Sequence, residues 1–112
     1  MTDFATKVWY AVVFMEVFEN HDEPDDNRYN YRIKIIALSQ TKTDVLKEAE
    51  ALNYEYSYSN PGVDADDVID NLPDYVGSHF FTVKKYEFKR ETIEHHKKAG
   101  RIIGDLNFKL QI

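Results

Sequence analysis

The residues of this chain whose types can do chemistry are its four histidines and its twenty carboxylates. His95 and His96 are adjacent, and Glu91 stands four residues before His95, a spacing that a helix brings together. A metal site is the sharp reading of that group. Neighbouring residues on a helix point about 100 degrees apart, and a metal needs three or four ligands with supporting groups behind them. The segment therefore reads as solvated and basic, and no metal or other cofactor is expected. His21 and His79 stand alone. The chain has no cysteine, which removes thiolate ligands, disulfides and a cysteine nucleophile, and neither a phosphate-loop nor a nucleophile-elbow glycine pattern is present.

The carboxylates fall in polar runs. Four acids occupy the five positions from Asp22 to Asp26, around Pro24, and five aspartates punctuate Val63 to Val76. The second run lacks the paired Asp or Asn, the central Gly and the closing Glu of a calcium-binding EF-hand loop. A general acid needs a buried carboxyl with a raised pKa, and acids in Pro- and Asn-rich runs stay solvated and ionised. The chain is therefore not read as an enzyme.

Recognition is the chemistry that remains. Tyr54, Tyr56 and Tyr58 flank Glu55, so aromatic anchors stand beside charge as they do on protein-binding surfaces. The residues expected to meet a partner are Asp22, Glu23, Asp25, Asp26, Tyr54, Glu55, Tyr58, Asp64, Asp66, Asp67 and Asp70. A core aromatic set with a solvated acidic rim is the plainer alternative for the same residues.

The charge distribution sets the sign of that partner. Residues 1–79 hold 16 acids against 6 Lys and Arg, while residues 80–112 hold 4 against 8, for a formal net of -6. Clustered cations are what nucleic acid and anionic membranes require, so an acidic majority predicts neither and favours a protein with a basic surface. The absence of cysteine and of a basic leader before the first apolar run leads to the expectation of a cytoplasmic protein.

The elements that must carry these groups are legible in outline. Lys7 to Phe18, KVWYAVVFMEVF, is too short to span a bilayer and rich in β-branched and aromatic residues, which predicts a central strand covered on both faces. Glu16, its lone interior acid, is expected to reach solvent near the strand's end. Glu19 to Arg28 is a loop, and Tyr29 to Leu38 alternates as a half-exposed antiparallel partner, fully buried at Ile36 and Leu38. Ser39, Thr41 or Thr43 can cap a helix whose face is Val45, Ala49, Leu52 and Tyr56, stopping at Asn60 to Gly62. A short second helix is expected from Asp64 or Asp66 through Leu72, ended by Pro73.

Further on, Phe81 and Val83 have opposite parity to Tyr86 and Phe88, which predicts a bulge at Lys84 and Lys85 if all four point inward. Glu91 to Lys98 reads either as a short helix or as an extended arm. Asp105 to Ile112 alternates as a C-terminal strand, at an edge or paired with another chain. The whole predicts one α+β domain over residues 1–112, with a largely antiparallel sheet of about four strands, and a main helix and a short helix on one face.

The layout resembles an uncharacterised group of small bacterial proteins, the domain-of-unknown-function family 4288. Trp9 and Tyr10 match its opening Trp-Tyr, IIALSQTKTDVLKEAEAL matches its strand running into an Ala-containing helix, and Val76, Gly77, Tyr86 and Glu87 match its later strand. The resemblance covers residues 8–88 and implies a bacterial or phage cytosolic origin, with no activity to carry over. The leading expectation is a non-enzymatic immunity protein that binds and neutralises a basic toxin domain. The alternatives are a phage-encoded inhibitor of a bacterial defence nuclease, and a small ligand-binding module or enzyme with a pocket between helix and sheet.

Overall fold

The computed structural model of the protein describes residues 6–21 and 28–104. The apolar run forms β1, Thr6–Glu19, and it lies between β2, Tyr29–Ser39, and β3, His79–Lys89, in the order β2-β1-β3. Both pairings are antiparallel. β1 is buried on both faces: Trp9, Ala11, Val13, Met15 and Val17 lie on one side and Val12 on the other. The fold is α+β, and the described sheet has three strands rather than about four. The expected C-terminal strand, Asp105 to Ile112, lies outside the described residues.

Helices cover both faces of the sheet, not one. Helix α1, Lys42–Glu55, lays Val45 and Ala49 on the side of Val12, Ala37, Phe81 and Val83. The chain then crosses the β3 edge, where the Thr82 hydroxyl donates to the Val63 carbonyl at 2.7 Å. Helix α2, Ala65–Ile69, a 3-10 turn at Leu72–Tyr75 and helix α3, Arg90–Lys98, lie on the opposite side with Trp9, Met15 and Phe80. The short second helix thus ends earlier than expected, and Pro73 sits inside the 3-10 turn, where a proline near the start costs no hydrogen bond.

Two-sided cover explains why the parity rule misled at β3. The β1–β3 register runs without a break from Thr6 opposite Lys89 to Glu16 opposite His79, so there is no bulge at Lys84 and Lys85. Phe81 and Val83 pack under α1, whereas Tyr86 and Phe88 pack on the α3 side. Opposite parity is what two cores require.

The bulge lies in β2 instead. Val12 faces Ala37 but Val13 faces Ile35, so Ile36 is an extra residue on β2. Tyr31, Ile33 and Ile35 pack towards α3, Ile36 and Ala37 towards α1, and Leu38 returns to the α3 side. Leu38 is fully buried as expected, whereas Ile36 is only half-buried. Beyond α3 the chain reaches the outer edge of β2, where Leu38 donates to the Arg101 carbonyl at 2.8 Å and accepts from the Ile103 N–H at 2.9 Å.

Candidate protein-binding surface

The site grows from the C-terminal end of α1. Ser39, not a helix cap, accepts the Thr41 N–H at 3.0 Å and sets the turn into the helix. The buried stripe then runs Val45, Ala49, Asn53, with Leu52 half-buried and Tyr56 55% exposed. Asn53 is 1% exposed. Its Nδ2 donates to the Phe81 carbonyl at 2.8 Å and its Oδ1 accepts the Phe81 N–H at 2.8 Å, while Nδ2 also reaches Asn60 Oδ1 at 2.7 Å. Phe81 stands on the outer edge of β3, so the amide of Asn53 satisfies the two peptide groups that a fourth strand would otherwise take.

The same residue ends the helix. Tyr58 N–H donates to the Asn53 carbonyl at 2.8 Å and Ser57 N–H to the Tyr54 carbonyl at 3.2 Å, the crossed pair of a Schellman turn. Ser57 occupies the left-handed position at φ 61. This turn swings Tyr56 and Tyr58 back onto the sheet. Tyr56 and Tyr58 stack at 5.7 Å, Tyr58 meets His79 edge-on at 4.6 Å, and Phe14 and Phe81 lie 5.2 Å apart beneath them. Tyr54 takes no part and is 89% exposed.

Past Phe14 no described helix covers the α1-side face of the sheet. Glu16 faces Arg32 across β2 and His79 across β3, and it is half-buried rather than fully in solvent. With Phe18, Arg32, Ser78 and His79 it lines a cleft of about 320 Å³. Arg32 lies 4.9 Å above the Phe18 ring, a cation–π arrangement that holds the guanidinium against the surface. A second cleft of about 290 Å³ lies between α1 and residues 60–64. Most of its polar side chains are already engaged, Lys42 with Asp64 at 3.1 Å, Thr82 with Val63, and Asn60 with Asn53, while Glu50 is exposed.

The expected partner residues fall into separate places. Tyr54 and Glu55 are exposed at the last turn of α1, and Tyr58 is half-buried in the aromatic cluster. Asp64, the residue before α2, pairs with Lys42 at the other end of α1, about 18 Å away by helix rise. Asp66 pairs with Lys84 at 2.6 Å, and that hydrogen bond raises the Lys84 pKa against the opposing effect of its burial. Asp67 and Asp70 are exposed without an ion pair among the described residues. Asp22, Glu23, Asp25 and Asp26 lie outside the described residues.

Glu91 to Lys98, left open between helix and arm, is helical within α3. Its two histidines touch edge-on at 5.4 Å, and His96 Nδ1 lies 3.2 Å from the Arg101 guanidinium. Burial, then Arg101, then His95 lower the His96 pKa below 6.5. No group of three or more potential metal ligands forms among the described residues. No described helix is long and apolar enough to cross a membrane.

Sequence reasoning did not select Asn53, Phe14, His79 or Arg32. The signal for Asn53 was present, a polar side chain four residues after Ala49 in an otherwise apolar stripe. The others depend on register, which no local pattern reveals. No family model, no curated protein and no solved structure matches this chain.

Proposed function

We propose that the protein is a stoichiometric, non-catalytic binding protein that neutralises a basic protein partner, of the kind an immunity protein forms with a toxin domain. The observation that carries this reading is the end of α1: Tyr54 stands 89% exposed on a helix terminus pinned by the buried Asn53 and flanked by exposed Glu50 and Glu55. An aromatic side chain on a rigid support loses little conformational freedom on binding, and surrounding acids steer a cationic partner. Asp67 and Asp70 are exposed in the α2 region, on the other face of the sheet, and with Asp22, Glu23, Asp25 and Asp26 they add to the acidic majority of the sequence.

The test is co-purification and calorimetry with basic toxin domains encoded beside the gene. A complex with one-to-one stoichiometry is expected, weakened by Tyr54→Ala and by charge reversal at Asp22, Glu23, Asp25 and Asp26. Absence of any complex tighter than micromolar, or indifference to both changes, sinks the reading. Displacement of the partner by DNA or RNA would instead favour an inhibitor that imitates nucleic-acid phosphates.

A further inference from the structure

Each edge of the sheet is engaged at one point. On β3 the outward amides at Phe81 are closed by Asn53 and the neighbouring Thr82 hydroxyl ties down residues 60–64. On β2 the outer edge is engaged at Leu38, by Arg101 and Ile103. Antiparallel pairing alternates inward and outward peptide groups. The register of β2 against β1 therefore turns the N–H and C=O groups of Tyr29, Tyr31, Ile33 and Ile35 away from the sheet. None of these groups has a backbone partner among the described residues, and the Tyr31 N–H donates to the exposed Asn30 Oδ1 at 2.8 Å, which an added strand would displace.

The side chains along this edge have two chemistries. Towards α3, Tyr31, Ile33 and Ile35 are only partly buried, because no strand covers their outer flank. On the opposite face Arg32 and Lys34 are exposed, and neither takes part in an ion pair among the described residues. A second copy of β2 laid antiparallel here would set Arg32 and Lys34 against themselves, which like-charge repulsion opposes.

We propose that the outer edge of β2 is a docking site for an extended segment of another protein in which acidic and apolar residues alternate. The segment adds a fourth strand: its backbone pairs with Tyr29, Tyr31, Ile33 and Ile35, its acids face Arg32 and Lys34, and its apolar side chains cover Tyr31, Ile33 and Ile35. Leu38 already shows this edge accepting a chain segment. The site is separate from the α1 terminus and does not depend on the function proposed for it.

The probe is a capped heptapeptide, Val-Glu-Val-Glu-Val-Glu-Val, titrated into the full chain labelled with nitrogen-15, with the Lys-for-Glu peptide as control. Amide shifts and slowed exchange are expected at Tyr29, Tyr31, Ile33 and Ile35, with the glutamate peptide binding about tenfold more tightly than the lysine peptide and losing that advantage in high salt. The double change Arg32→Glu and Lys34→Glu should reverse the preference. If that variant does not fold, the salt dependence in the unmodified protein decides. Equal binding of the two peptides, shifts elsewhere, or no binding at millimolar peptide overturns the proposal. So does cross-strand contact of residues 105–112, or of a second copy, with these four amides.

Discussion

Asn53 and Phe81 are joined twice, by an N–H accepted at 2.8 Å and a carbonyl bound at 2.8 Å, so that one side-chain amide stands in for a whole strand's peptide. The pair connects helix to sheet edge and fixes where the exposed tyrosines stand. Asn53→Ala leaves two buried peptide groups and Asn60 without this partner, and a loss of about 2–4 kcal/mol is expected. Trp9, the sole tryptophan and fully buried, reports the transition in a urea titration by its emission. Asn53→Asp keeps the acceptor but removes both donors, and should be at least as damaging at neutral pH.

Ser57 holds a left-handed backbone at φ 61 without being glycine. Ser57→Gly relieves that conformation at the turn and should stabilise the protein by up to about 1 kcal/mol, read as a shift in denaturant midpoint at constant slope.

Tyr54 and Tyr58 separate binding from folding. Tyr54→Ala should change stability by no more than about 0.5 kcal/mol, since its ring touches little. Tyr58→Ala removes contacts with Phe14, Tyr56, His79 and Phe81 and should cost about 1–3 kcal/mol. Thermal unfolding of the two variants side by side gives the contrast.

His96 makes stability depend on pH. Its folded pKa is lowered, first by burial, then by Arg101 and His95, so the unfolded chain binds the proton more readily. Stability is therefore full above the unfolded value of 6.5 and falls as pH drops from there towards the folded pKa. The position of His96 in the last turn of α3 works in the other direction, because a helix C-terminus favours cations. His96→Gln should flatten the acid limb of a stability–pH profile measured through that window.

The long elements could be read from the sequence because each has a pattern one layer deep. Lys7 to Phe18 is apolar throughout, residues 29–35 alternate, and Val45 and Ala49 repeat at helical spacing. The misplaced bulge at β3 and the misplaced helices share one cause, the assumption that helices cover one face of the sheet. With cover on one side only, Phe81 and Tyr86 cannot both be inward without a bulge; with cover on both sides they can. The true bulge, at Ile36, hides because Ile35 to Leu38 are all apolar and the parity change leaves no polar mark. In the candidate surface, Tyr54 and Glu55 were legible as an aromatic beside an acid. The company of Phe14, Glu16, Arg32 and His79 was not, since it arises from strand register, which sets Glu16 beside Arg32 on one neighbouring strand and His79 on the other.

The amide of Asn53 also limits where a strand can be added. A sheet with two open edges can grow copy upon copy, because each added strand presents a fresh template. Here a strand arriving along β3 must first displace a buried clamp at Phe81, so pairing along that edge is confined to Val83 to Lys89. The side-chain amide therefore sets how far along β3 an added strand can run.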